Sequence, residues 1–390
     1  MEYVQERIAT LHQFGAVDDP PGDASEEPAE GVPVGADLVP ETAIVVPMTD
    51  RELGNPAAER VLSELEALDP APAAVFVPVR CPSERIEPFR EWLESFSLPI
   101  RPLWCNAPAV ERTLEAAGLA NGAGKGRDVW LALGPAADAG KYVVVHDADA
   151  RSYEADHVHR LLAPLAMEFS FSKGYYARVE DGRLYGRLFR LFYRPLIRAL
   201  ADAHDAPILD YLSSFRYALA GEFAMTSTLA RRLRTPPAWG LEVGTLGAAF
   251  DHAGFEGTAQ VDLGLHVHDH RAVAGESGLE GMSREVATAL LGVLEEGGVD
   301  PAYETLPERY RAAGRRLTQQ YRADAQFNGL EYDLASEQEQ VDRYGESIAP
   351  PGPDRRLPRW TDAPVDPDAV LEATQPWVDA GLETSASAQD

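Results

Sequence analysis

The chain has 390 residues, 45% of them hydrophobic, enough for one large α/β domain with additions or for two domains. With 63 acids against 35 lysines and arginines, its formal charge is −28. That charge argues against nucleic acid and against an anionic membrane surface as partners, because both require a basic face. The cysteines, Cys81 and Cys105, make no disulfide framework. No run reaches transmembrane length, and residues 1–14 lack the apolar core of a signal peptide, so the chain reads as cytoplasmic. Lysine occurs only as Lys125, Lys141 and Lys173. Acidic excess with little lysine suits concentrated salt, where screening relieves self-repulsion, and points to a halophilic source.

In chain order, residues 3–14 read as a short helix and 18–41 as an acidic, proline- and glycine-rich linker. Ala43-Ile44-Val45-Val46-Pro47 begins the folded domain as a strand, followed by a helix near 56–68 and a strand at 74–79. A helix at 85–96, a strand at 100–104 and a helix at 127–133 continue the alternation, which predicts a mainly parallel, doubly wound sheet. Next comes Val143-Val144-Val145-His146-Asp147-Ala148-Asp149, a buried strand ending in two aspartates. Beyond it the pattern predicts a strand at 169–179, a helix at 185–204, a strand at 261–268, and helices at 283–296 and 307–328. Residues 361–390 hold acids and no Lys or Arg, and read as a mobile tail that Val370, Leu371 and Trp377 can dock.

Ligands of open α/β sheets sit outside the carboxyl ends of the strands. Paired carboxylates there suit a hard divalent cation, and that cation a diphosphate. The expectation is a metal-dependent enzyme with a nucleotide-activated donor, most simply a nucleotide-sugar glycosyltransferase. Gly122-Ala123-Gly124-Lys125-Gly126 offers a loop for close backbone approach and a point charge for a diphosphate. Arg187, Arg190 and Arg194 fall in one helical segment, where helical charges ordinarily make a solvated face. Glu242 stands among small and apolar residues, where a carboxylate must be paired or functional. Alternation places His266, His268 and His270 on one face, a candidate for zinc or substrate work.

These segments, in this order over residues 43–271, resemble the glucosyl-3-phosphoglycerate and mannosyl-3-phosphoglycerate synthases, family 81 of the retaining glycosyltransferases. The resemblance implies a GT-A fold: a Rossmann-like, mixed but mainly parallel sheet flanked by helices, here with a C-terminal helical extension. It implies transfer of a hexose, glucose favoured, from a nucleotide diphosphate sugar to the 2-hydroxyl of 3-phosphoglycerate, with Mg2+ or Mn2+ as cofactor. It assigns Pro47 and Glu52 to uracil and ribose, Lys125 to the diphosphate and Asp147 to the nucleotide. Leu219 and Gly221 line the sugar site, Asp149 and His268 ligate the metal, and Gly186 and Arg187 hold the acceptor phosphate. Glu242 contacts the acceptor or donor sugar and, with Asp149 and Arg187, carries the catalysis. Family members pair as homodimers through regions that include the C-terminal helices. The chain departs from the family pattern at Met48-Thr49-Asp50-Arg51, at Phe189, where the family has an acceptor-binding threonine, and at His266, often arginine.

The implied organisation is an N-terminal segment 1–41, a glycosyltransferase domain 42–275, a helical extension 276–345 and an acidic tail 346–390. Glucose or mannose, and uridine or guanosine, stay open. So do a lipid or glycan acceptor, nucleotidyl transfer with release of pyrophosphate, and a non-catalytic sugar-nucleotide-binding protein.

Overall fold

Runs such as Val143-Val144-Val145 can be buried on both faces only in a sheet that helices cover on both sides. The computed structural model, which describes residues 5–12, 34–120, 122–269, 276–375 and 377, has that form. The chain runs β1 (Ala9–Leu11), a 3-10 turn (Ala36–Glu41), β2 (Thr42–Val45), β3 (Met48–Thr49), α1 (Pro56–Glu66), β4 (Ala74–Arg80), α2 (Ser83–Leu93) and β5 (Ile100–Trp104). It continues as α3 (Pro108–Ala116), α4 (Lys125–Ala139), β6 (Tyr142–Val145), α5 (Asp156–Ala166) and β7 (Phe171–Ala177), then the small hairpin β8 (Val179–Glu180) and β9 (Arg183–Leu184). A π-helical segment (Leu188–Tyr193) leads into α6 (Arg194–Ala201), followed by α7 (Pro207–Ser213), β10 (Phe223–Thr226), α8 (Ser227–Ala230), α9 (Leu241–His252) and β11 (Thr258–Leu265). The helices α10 (Glu276–Glu296), α11 (Leu306–Phe327), α12 (Leu334–Gly345) and α13 (Pro367–Thr374) close the described chain.

The large sheet has the order β1-β11-β7-β10-β6-β2-β4-β3, with β5 also on β4. Only β10 is antiparallel, to both β6 and β7. Alternate side chains feed two cores. Ala43, Val45, Val143 and Val145 pack on the α4 face, while Ile44, Val46 and Val144 pack on the face covered by α1, α2 and α5. The α4-side core continues without a break through Leu290, Tyr310, Tyr344 and Trp360, so the helical extension shares it.

Several expectations need correction. The described part of the N-terminal segment is a strand, not a helix: Ala9–Leu11 pairs in parallel with Ala259–Val261. The open edge of β11 supplies backbone partners that an extended segment can satisfy and a helix cannot. Most of the expected linker lies outside the described residues. The helices α3, α5 and α12 have no counterpart in the expectations. The strand expected to reach His268 ends at Leu265, where the register with β7 shifts and Gly264 takes φ +78°. The tail docks as far as it is described: α13 packs on α3 and α4, and Val370 and Thr374 are buried.

Candidate active site

The site forms where β2 and β6 end and the first turns of α4 and α9 meet them. Asp147 and Asp149 follow β6, Lys125 is the first residue of α4, and Glu242 lies in the first turn of α9. Lys125 Nζ sits 2.6 Å from Asp147 Oδ1 and 2.9 Å from Glu242 Oε1. Burial alone would lower the Lys125 pKa, but these two carboxylates override it and hold the amine protonated. Burial would likewise raise Asp147, and the ammonium more than offsets it. The pairing therefore fixes one cation between two anions, at a position three separate segments must reach.

Pro47, Glu52, Lys125, Asp147 and Asp149 all line one cleft of about 670 Å3, together with Asp50, Arg80 and Trp239. Glu52 serves its own turn: Oε2 accepts from the Thr49 N–H at 2.6 Å and the Thr49 hydroxyl at 2.8 Å. Gly221 is required by its neighbour, since a Cβ there would lie 2.0 Å from Asp147 Oδ2. Leu219, half-buried, belongs to the same segment, whose residue Ala220 accepts a hydrogen bond from the buried Lys173 ammonium.

The glycine loop does something other than the sequence suggests. A Cβ on Gly126 would fall 1.8 Å from the Pro236 carbonyl oxygen. The Gly126 and Arg127 N–H groups donate to the carbonyls of Ala238 and Pro237, at 3.2 and 2.8 Å. The loop thus carries the 236–238 segment, and those N–H groups are not turned to a ligand.

Among the described residues, no three His, Cys, Asp or Glu side chains converge as a closed metal site. Asp149 nevertheless suits a cation. Its Oδ1 is buried with no hydrogen-bond partner, and burial together with Asp147 pushes its pKa up to about 7. A neighbouring divalent charge would restore the carboxylate. The 267–269 strip pairs against 149–151: Ala150 bridges His268, and the Asp269 N–H donates to the Asp149 carbonyl at 2.8 Å. The register thus sets Asp149 opposite Asp269 and His268 one step along, opposite Ala150; a cation held by Asp149 and His268 would have coordination positions left for ligand oxygens.

His266 is fully buried and stacked on Tyr176, with ring centroids 4.0 Å apart, and its ring meets His268 edge-on. His270 lies outside the described residues. Gly186 and Arg187 do not line the cleft. Gly186 packs on Tyr217, and Arg187, half-exposed, borders a separate hollow of about 470 Å3 with its Nε 3.4 Å from Glu337. Phe189 is buried between Tyr193 and Tyr217 and has no access to a ligand.

Sequence reasoning missed three groups. Glu222 is fully buried and has a pKa pushed up to about 8, by burial first and then by Asp147. Lys173 lies beneath the aspartates, its pKa lowered to about 8 by burial. Glu337, from α12, holds Arg190 in a bidentate pair at 2.7 and 3.0 Å. The scarcity of lysine is the available signal for Lys173; no local pattern marks Glu337.

No family model matches the chain. It is 33% identical over 386 residues to the glucosyl-3-phosphoglycerate synthase of Methanococcoides burtonii, covering 93% of this chain and 94% of that protein. The synthase of Persephonella marina is 35% identical over 321 residues, covering 78% and 79%. Among solved structures, that of the Mycobacterium tuberculosis glucosyl-3-phosphoglycerate synthase with Mn2+, uridine diphosphate and phosphoglyceric acid superposes with a TM-score of 0.53. It is 24% identical and covers 76% of this chain and 88% of that one, a likeness of fold. A third of the positions identical along nearly the whole of two chains places this one in the glucosyl-3-phosphoglycerate synthase family of glycosyltransferases.

Proposed function

We propose that the chain transfers glucose from a uridine diphosphate sugar to 3-phosphoglycerate, with retention of configuration and dependence on Mg2+ or Mn2+. The observation that carries this reading is the Lys125–Asp147–Glu242 cluster, whose Lys125 and Asp147 line the same cleft as Asp149. The mycobacterial relative was solved with Mn2+ and UDP-glucose, and also with Mg2+ and UDP, which supports donor and metal.

When held by Asp149 and His268, the metal supplies positive charge against the departing diphosphate. The protein's own groups do the rest. Lys125 bridges Asp147 and Glu242 and keeps Asp147 ionised, so both carboxylates are held in a fixed geometry toward the sugar and nucleotide. Glu242 accepts from sugar hydroxyls and positions them. The acceptor hydroxyl attacks from the face the diphosphate leaves, with no covalent glycosyl-enzyme. Arg187 and the Gly186 backbone receive the acceptor phosphate, and Pro47, Glu52, Leu219 and Gly221 frame the nucleotide and sugar.

The same reading extends to the surroundings. A charge of −28 with three lysines suits work in concentrated salt, and the anionic product is a charged compatible solute for such a cell. Two copies pair through the helices after β11, which light scattering in high KCl would check.

The test is release of nucleoside diphosphate in high KCl with Mg2+, crossing UDP-glucose, GDP-glucose and GDP-mannose with and without 3-phosphoglycerate. Release from UDP-glucose that needs 3-phosphoglycerate is the expected result. Acceptor-independent release would remove the acceptor assignment, and pyrophosphate as product would replace sugar transfer by nucleotidyl transfer.

A further inference from the structure

Away from the cleft, a cavity of about 150 Å3 opens between the C-terminal ends of α9 and α10. It shares no lining residue with the cleft. Arg232, Arg234, Arg356 and Arg359 line it against only two carboxylates, Asp251 and Glu296, in a chain whose acids far outnumber its bases.

Pairing divides the four arginines into two kinds. Arg356 grips Glu296 and Asp354, and Arg234 bonds Asp354, so these two are neutralised in place. Arg232 and Arg359 have no hydrogen-bonding or ion-pair partner for their side chains among the described residues, and Arg359 Nε is buried. His252, the last residue of α9, lines the same cavity. Its pKa is lowered by burial and then by Arg359 and Arg232, which shows that both positive fields converge there.

Helix C-termini attract cations, and that accounts for arginines nearby. It does not account for an enclosed space between them, or for a buried guanidinium nitrogen without an acceptor, which costs stability unless something fills the role. A guanidinium presents a planar fork that matches tetrahedral oxyanions. A cavity of this size is roomy enough for a six-carbon ring, and a phosphate ion has fewer heavy atoms.

We infer that this cavity binds a small multivalent oxyanion of the phosphate class, held by the Arg232 and Arg359 forks between walls fixed by Arg234 and Arg356. The segment that starts at Arg232 ends at Ala238 and Trp239 in the wall of the cleft, so the occupant sits at the root of a cleft-forming loop.

The test uses the full chain without substrates. Inorganic phosphate is titrated against KCl of matched ionic strength, read by calorimetry and by the thermal midpoint. Wild type is expected to bind phosphate and to melt higher with it. Arg359→Gln should weaken phosphate binding about tenfold or more, while Arg322→Gln, at an exposed position on α11, leaves it unchanged. Should Arg359→Gln fail to fold, Arg232→Gln, an exposed position at the mouth, carries the same expectation. Equal phosphate affinity in wild type and both cavity variants overturns the inference. So does loss of the response in Arg187→Gln alone, which places the ion in the acceptor hollow, or reproduction of the effect by chloride. Methyl phosphate run alongside tells an esterified phosphate from the free ion; a response to either that Arg359→Gln abolishes supports the site.

Discussion

Asp147 owes its position to two neighbours of opposite kinds. Lys125 holds it by charge, and Gly221 makes room for it. Gly221→Ala should push the carboxylate off Lys125, leave the fold intact and lower kcat by at least about tenfold, since misplacing a reacting-site group by an ångström costs ~100-fold. Unchanged turnover in this variant would show that Asp147 tolerates displacement. Glu222 offers a cleaner electrostatic test. Its pKa of about 8 in the fold compares with an ordinary 4.5, so between those values the native state keeps a proton the unfolded chain has lost. Wild-type stability therefore declines as pH rises through that window, and is level on either side of it for this group. Glu222→Gln has no proton to lose. In metal-free protein its stability relative to wild type should grow from pH 5 to pH 8, by about 1.4 kcal/mol per pH unit at most. Denaturant titrations at three pH values would measure it, and a constant difference would mean that Glu222 is ionised in the fold.

Elements, more than single residues, decide how the C-terminal helices take part. Trp360 stacks on Trp130 with centroids 4.4 Å apart, and each indole N–H finds a carbonyl, Trp130 to Pro358 and Trp360 to Trp130. Trp360→Ala should cost about 3–5 kcal/mol and release the 354–375 strap from α4. Limited proteolysis would detect the release, and an unaltered cleavage pattern would show the strap is anchored elsewhere. From α12, Glu337 holds Arg190 and stands beside Arg187. Glu337→Gln should raise the KM for 3-phosphoglycerate several-fold while the donor KM stays put.

What is legible in the sequence follows the range of the interactions. Strands β2, β4 and β6 stand out because burial on both faces leaves continuous apolar runs. Asp147, Asp149, Lys125 and Glu242 stand out because each interrupts an apolar or glycine-rich context. Pairings between distant segments stay hidden: Glu337 meets Arg190 across 147 positions, and Gly126 accommodates Pro236 rather than a ligand. Strand β1 misleads because its reason to be extended, the free edge of β11, lies 250 residues away. Helix α5 escapes a local reading although its face packs squarely on β7, β10 and β11.

At the scale of the whole molecule, the charge of −28 sets the response to salt. Repulsion among surface carboxylates is screened over about 10 Å at 0.1 M salt and about 3 Å at 1 M. The thermal midpoint should therefore climb as KCl rises from 0.1 to 2 M; a flat profile would show that the surface pairs already offset the repulsion.

The three amines have unequal fates. Lys125 is clamped by two carboxylates, Lys173 is enclosed under the sheet, and Lys141 stands with its side chain 73% exposed. An amine-directed reagent that leaves the protein folded thus meets a single lysine, next to β6 on the far side of the strand from the cleft. Peptide mapping after limited labelling should find the tag on Lys141 and on no other lysine, beside the α-amino group that every chain carries. This gives the enzyme one natural lysine handle by which it can be tethered or given a dye, with the working end left open.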